Sequence, residues 1–163
     1  MMIDQKDPTS KSFLDNELRE LERYIEFGDQ RNPETSKANV AWHLDHTLKS
    51  INRIYRALLS SDPNNYRWKA NIGRMYVFTT GSIPRGKGKS PASVMPPDHI
   101  ETEDLRKQVT EARQIAKKMD TLHPGSNFEH PNFGQLNKKD AKRFIEIHTN
   151  HHLKIIRDII GNP

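Results

Sequence analysis

The feature that most constrains this chain is a hydrophobic seam near its C-terminus that two histidines interrupt. The seam recurs at intervals of four and three residues, the spacing of the inward-facing side of a packed helix. Its members are Ala141, Ile145, His148, His152, Ile155 and Ile159. Two imidazoles therefore stand where aliphatic side chains are expected, and the pattern predicts a long final helix with a chemically active inner face.

His148 and His152 are the main candidates for that chemistry. They are four residues apart, so on a helix they point the same way, one turn apart, and can bind one metal ion. The alternative is that they are ordinary polar residues at a helix edge, although a buried imidazole then needs partners for both ring nitrogens. His151 flanks the same face, either as a neighbour that supports a ligand or as a solvated residue.

The composition agrees with a thin core shared by amphipathic helices. The chain has 163 residues, of which 33% are hydrophobic and 29% charged, and we expect one domain over residues 1–163. No apolar run is long enough for a membrane span, and the polar first residues do not match a signal peptide, so we expect a cytoplasmic protein without a membrane partner. Because cysteine is absent, nitrogen and oxygen must hold any metal.

The net charge of +5 at pH 7 raises the question of nucleic-acid binding. Acids and bases alternate along most of the chain, and only residues 85–89 form a compact basic run. We therefore expect no nucleic-acid partner. Within this run, Arg85 and Lys87 are placed to attract an anionic substrate.

The hydrophobic periodicity predicts five helical segments. They cover residues 10 or 12 to 27, 36–60, 66–80, 102–119 and 137–160. The third contains a run of β-formers and is the weakest pattern. Residues 81–98 are rich in Gly, Pro, Ser and Lys and predict a long irregular connection. Residues 130–134 predict a turn-rich loop, and Asn137 is a good N-cap for the last helix.

A metal site needs a third protein ligand, and the second predicted helix offers His43 and His46. At about 100° per residue, His43 flanks the apolar stripe of this helix, while His46 falls further round. The helical wheel alone favours His43, and both histidines stay candidates on these grounds.

Three motifs together resemble the DinB/YfiT-like superfamily of proposed metalloenzymes, and look closest to a branch of unknown function within it. The motifs are an HxxH in residues 40–46, an HPxFGxL loop in residues 130–136 and an HxxHH in residues 148–153. The HxxHH motif is weak alone, but the combination with the other two is fairly specific.

The resemblance implies an all-α fold, an up-down-down-up four-helix bundle, here with an extra short helix and a long irregular connection. It also implies a divalent metal ion, Zn or Ni, held by one histidine of the second helix and two of the last. Carried over by motif position, these are His46, His148 and His152. This disagrees with the helical wheel, and His43 is the alternative ligand.

The same resemblance implies a metal-dependent hydrolase or a thiol-dependent transferase that acts on a small molecule, with a thiol as one candidate reactant. No acid–base residue stands out in the sequence. The alternative hypothesis is therefore a non-catalytic metal-binding or structural module. A homodimer formed through a helix face is a further expectation.

Overall fold

The computed structural model describes residues 13–86 and 90–161. Within these ranges the chain forms five α-helices, α1 Asp15–Tyr24, α2 Val40–Ser60, α3 Ile72–Thr80, α4 Thr102–Lys118 and α5 Lys138–Ile160. Two short strands, β1 Asn127–His130 and β2 Gly134–Asn137, pair as an antiparallel hairpin. The fold is mostly helical, so the all-α prediction is approximate, since it left out the hairpin.

The two long helices that carry the histidine motifs begin at asparagine caps. The Asn39 side chain accepts a hydrogen bond from the Trp42 amide, and that of Asn137 accepts one from the Asp140 amide, both at 2.9 Å. The predicted cap at Asn137 is confirmed. The second helix starts later than predicted because the Asn39 side chain caps it at the Trp42 amide, one of the first-turn N–H groups that have no partner within the helix.

The start of α3 also differs from the prediction. α3 begins only after Asn71, whose side chain accepts a hydrogen bond from the Arg74 amide, and residues 66–71 are not helical. The predicted start of the first helix, at residue 10 or 12, lies outside the described residues. The described helix starts at Asp15.

Helices α1, α2, α4 and α5 pack around a shared hydrophobic core, with α2 against α4 and α5, and α1 against the same two helices. Burial of each large aliphatic side chain contributes about 1.5–3 kcal/mol. The largest fully buried side chains are Leu18, Leu21, Leu44, Leu48, Ile51, Leu58, Leu105, Met119, Leu136, Ile145, Leu153 and Ile156. This packing places α2 beside α5, and therefore their histidines face one another.

The hairpin closes one side of the gap between α2 and α5. Phe128 and Leu136 are cross-strand partners, and both pack against the core, with Leu136 fully buried. A hydrophobic cross-strand pair that packs on the core stabilises a hairpin. This contact explains why the segment forms strands where the turn residues alone predicted a loop. Gly134 supplies the left-handed backbone, φ +70°, at the start of β2.

The connection between α3 and α4 is irregular in its described part, as predicted. It contains one 3-10 turn, Ala92–Val94, and the Val94 side chain is buried. The turn packs against α2, where the Val94 carbonyl oxygen lies 3.0 Å from Nδ1 of His46. No helix in residues 13–86 or 90–161 is both long and apolar enough to cross a membrane.

Candidate metal centre

A cavity of about 840 Å³ lies between α2, α5, the hairpin and the α3–α4 connection. The chain contains eight histidines, and six of them line this cavity, His43, His46, His130, His148, His151 and His152. Imidazole chemistry is therefore concentrated at one place in the fold, although the histidines come from three separate parts of the sequence.

Three of these histidines converge most closely. One ring nitrogen from each of His46, His148 and His152 lies within 4.8 Å of the other two. Nε2 of His46 and Nε2 of His148 are 3.2 Å apart. Ring centroids in the trio are separated by 4.6–5.1 Å. This arrangement, called the triad below, is compatible with metal binding.

The bonding of His46 suits a metal ligand. Its Nδ1 lies 3.0 Å from the carbonyl oxygen of Val94, and a carbonyl can only accept, so Nδ1 carries the proton. Nε2 is then left with a lone pair, aimed at His148. In metal-binding histidines, the ring nitrogen that does not bind the metal commonly donates to a carbonyl or carboxylate in this way, and the hydrogen bond orients the ring. The donor set of the triad therefore fits a divalent ion that prefers nitrogen.

His43 occupies a different position from His46. Its Nδ1 shares a hydrogen bond of 3.0 Å with Nδ1 of His152, and its Nε2 one of 2.9 Å with Oγ of Ser36. Both ring nitrogens of His43 are thus engaged, and it lies behind His152 and outside the triad. The bond also leaves Nε2 of His152 as the nitrogen available to the cavity.

The helical wheel favoured His43, whereas the structure brings His46 together with His148 and His152, and the difference has a physical reason. The wheel measured each histidine against the apolar stripe of its own helix, yet both are buried, at 4% and 3% exposure for His43 and His46. The cavity opens where α2, α5 and the α3–α4 connection meet. Which histidine approaches His148 therefore depends on neighbouring elements that a wheel does not contain.

Burial keeps these imidazoles neutral. Burial, with smaller contributions from His46, His151 and Arg85, lowers the pKa of His43 from 6.5 to about 4. Burial likewise lowers the pKa of His46, and it holds those of His148 and His152 well below the ordinary value. Neutral imidazole is the form that binds metals, so the site needs no deprotonation near pH 7.

His151 lines the cavity next to the triad. Its ring lies 5.1 Å from that of His152 and nearly perpendicular to it. Burial lowers its pKa to about 4. Its side chain is half-buried. This exposure does not decide between a neighbour that supports a ligand and a solvated residue, and both alternatives stay open.

The remaining cavity wall combines aromatic side chains with a few cations. Phe128, Phe133 and Phe144 supply the apolar part, and Lys37, Arg53 and Arg85 lie among the other lining residues. Arg85, expected to attract an anion, forms an ion pair of 2.6 Å with Asp158. Lys87 lies outside the described residues.

Two contributors to the site were missed by the sequence reasoning. The Val94 carbonyl is a backbone group in an irregular connection, and no sequence pattern marks it. His130 appeared only as part of a motif, yet it stands in the cavity wall. The His-Pro dipeptide at the end of β1 was the available signal for this residue.

The fold and the site define a mostly helical protein in which three histidines from two helices converge at a cavity. The family model DUF1569, described as a protein of unknown function, matches residues 69–158. This is more than half of the 163 residues, and the chain belongs to the DUF1569 family. The matched segment contains His130, His148 and His152 and begins after His46. No curated protein and no solved structure matches the chain.

Proposed function

We propose that this protein binds a divalent metal ion, Zn or Ni, through His46, His148 and His152. The observation that carries the proposal is the convergence of the three imidazoles, with the Val94 carbonyl holding the His46 lone pair toward His148. Three neutral ligands leave a coordination position open for another molecule. His43 is the alternative ligand from α2, and its two hydrogen bonds favour a supporting role instead.

The wider family assignment is part of the proposal. Helices α1, α2, α4 and α5 would form the up-down-down-up bundle of the DinB/YfiT-like superfamily, with α3 as the extra short helix. Their mutual packing supports this arrangement. The DUF1569 family would then be the branch of unknown function that the histidine motifs resemble.

We further propose that the site is that of a metal-dependent hydrolase or thiol-dependent transferase. When bound, a divalent ion supplies Lewis acidity, which polarises a carbonyl and lowers the pKa of a water or thiol. The chain itself orients the ligands through Val94 and His43. Its aromatic wall, Phe128, Phe133 and Phe144, packs against a small molecule and excludes water from the triad.

A second candidate, a non-catalytic metal-binding module, is supported by one observation. Among the described residues that line the cavity, the single carboxylate is Glu129, which is exposed to solvent. The buried carboxylate nearest to the triad in sequence, Asp45, does not line the cavity, since it pairs with Lys49 and accepts a hydrogen bond from Gln108. A protein that only stores, delivers or is stabilised by metal needs no carboxylate to transfer protons.

Metal analysis of tag-free protein, purified after growth with added Zn and Ni, tests the shared part of both candidates. We expect one ion per chain in the wild type, and the same content in His99→Ala, since His99 is exposed and outside the cavity. A metal content far below one ion per chain in the wild type would refute the site.

A panel of small esters, amides and thiol-conjugation reactions, assayed with loaded and chelated protein, separates the two candidates. Turnover that requires the loaded form supports the enzyme. The same background rate in both forms across the panel supports the non-catalytic module.

A further inference from the structure

His130 lies at the end of β1, in the wall of the cavity that contains the triad. Its ring stacks on Phe133, with centroids 4.4 Å apart and planes within 10°. The ring also contacts Phe144, with centroids 4.6 Å apart, and Phe128, with centroids 6.2 Å apart. Phe144 also contacts the triad residue His148, with centroids 5.4 Å apart. A single aromatic side chain thus lies against both His130 and His148.

The hydrogen bonds of His130 determine which ring nitrogen carries the proton. Its Nδ1 accepts from the backbone amides of Asn132 and Phe133, at 3.1 and 3.2 Å. Because amides only donate, Nδ1 must be unprotonated, and the neutral ring carries its proton on Nε2. Burial lowers the pKa of His130 to about 4, which keeps the ring neutral at neutral pH.

The Nε2–H group of His130 is left available. Within residues 13–86 and 90–161, no side chain or backbone group accepts a hydrogen bond from it. This nitrogen is also not among the described polar atoms that are fully buried without a partner. It is therefore a neutral donor with a defined direction that solvent or a bound molecule can reach.

A purely structural role would need only one of the two ring nitrogens of His130, namely Nδ1. The amides of Asn132 and Phe133 need one acceptor to hold the turn between the strands, and the Oδ1 of an asparagine provides that acceptor equally well. The imidazole adds a second polar atom on the opposite side of the ring. That atom serves the turn in no way, while the ring it belongs to lines the cavity.

We propose that His130 is a substrate-contacting residue, whose Nε2–H donates a hydrogen bond to a carbonyl or carboxylate oxygen of the molecule held at the triad. The aromatic side chains beside it, Phe128 and Phe133, accommodate an apolar part of the same molecule. The expected ligand class is a small organic carbonyl or carboxylate compound. This inference rests on the proposed metal site.

The tautomer is tested first, in metal-free protein. Nitrogen-15 NMR of the imidazole side chains is recorded at pH 7 for the wild type and for His130→Asn. The signals that disappear in the variant are those of His130. We expect the ¹⁵N pattern of a neutral Nε2–H ring. A neutral Nδ1–H ring, or a charged one, would overturn the proposal without bearing on metal binding.

Two matched variants then separate the donor from the turn. Asparagine at 130 keeps an acceptor near the position of Nδ1 and removes Nε2–H, whereas glutamine keeps a donor near Nε2 and loses the acceptor. The probe is acetate, titrated into Co(II)-loaded protein and followed by the visible absorption of the metal. Because a hydrogen bond to a charged group contributes about 1.5–3 kcal/mol, we expect acetate affinity to fall about tenfold or more in His130→Asn.

The controls distinguish the failure of this inference from that of the proposed function. Co(II) affinity should be unchanged in both variants, and His130→Gln should keep acetate affinity near that of the wild type with lower thermal stability. Wild-type acetate affinity in His130→Asn, or no acetate response in the loaded wild type, would overturn the inference alone. Absence of Co(II) binding in the wild type would overturn the metal site and this inference with it.

Discussion

The two histidine pairs on α2 and α5 are close in spacing and different in outcome. On α5, His148 and His152 are four residues apart and both belong to the triad. On α2, His43 and His46 are three apart; His46 joins the triad and His43 bonds to the far side of His152. A spacing of four kept both imidazoles on one face, whereas a spacing of three divided them between two positions.

The pairs also differ in what holds them. The α2 pair is tied to irregular segments outside its helix, His46 to the Val94 carbonyl and His43 to Ser36. Of the α5 pair, His152 bonds to His43, and His148 packs against Phe144. Irregular segments therefore position the α2 histidines, whereas side chains on packed helices position the α5 histidines.

The largest expected effect comes from removing a triad histidine. His46→Ala or His148→Ala leaves two nitrogens, and metal affinity should fall at least about a hundredfold. Isothermal titration with Zn(II) and with Ni(II) measures it, with His99→Ala as the unaffected control. If His43→Ala abolishes binding while His46→Ala retains it, the assignment of the α2 ligand is wrong.

Acid should destabilise the metal-free protein. The folded pKa of His43 is about 4, below the 6.5 of the unfolded chain, so the unfolded state takes up the proton first. The contribution to stability is complete above pH 6.5 and is lost as the pH falls through that value toward 4. For His43 alone this amounts to about 2 kcal/mol between about pH 7 and pH 5.

Urea denaturation at both pH values measures this loss. Asparagine does not titrate, so His43→Asn should show a smaller drop than the wild type. Equal drops in the two proteins would show that His43 is not buried as a neutral ring.

The supporting role of His43 predicts a graded loss of metal affinity. His43→Ala removes the partner of Nδ1 of His152, and such supporting contacts are worth about 10–100-fold in metal affinity. His43→Asn restores an acceptor near the lost Nδ1 and should recover part of that loss. Competition with a chromogenic chelator measures the affinities. Wild-type affinity in His43→Ala would contradict the supporting role.

The smallest expected effect on metal affinity comes from removing the asparagine caps of α2 and α5. Asn39→Ala and Asn137→Ala should each lower the free energy of unfolding by about 1 kcal/mol. Because His43 lies in the first turn of α2, Asn39→Ala should also weaken metal binding slightly, whereas His148 lies far along α5 from its cap. Thermal unfolding and chelator competition on both variants check this. Equal metal affinities would remove the distinction.

The sequence by itself determined the features that rest on local chemistry. The seam and the spacing of His148 and His152 follow from the helical period. The Asn137 cap follows from a side chain and an amide three residues apart, and the irregular connection follows from its Gly and Pro content. Each depends on residues within a few turns of one another.

Only the tertiary structure decided the parts that join distant segments. His46 and His148, whose Nε2 atoms are 3.2 Å apart, are separated by 102 residues, and the Val94 carbonyl that orients His46 belongs to an irregular segment. The β-hairpin and the direction of the His130 Nε2–H group likewise depend on contacts with the core and the turn. A periodic pattern reports which way a side chain faces from its own helix. What it meets there is decided by the packing of the other elements.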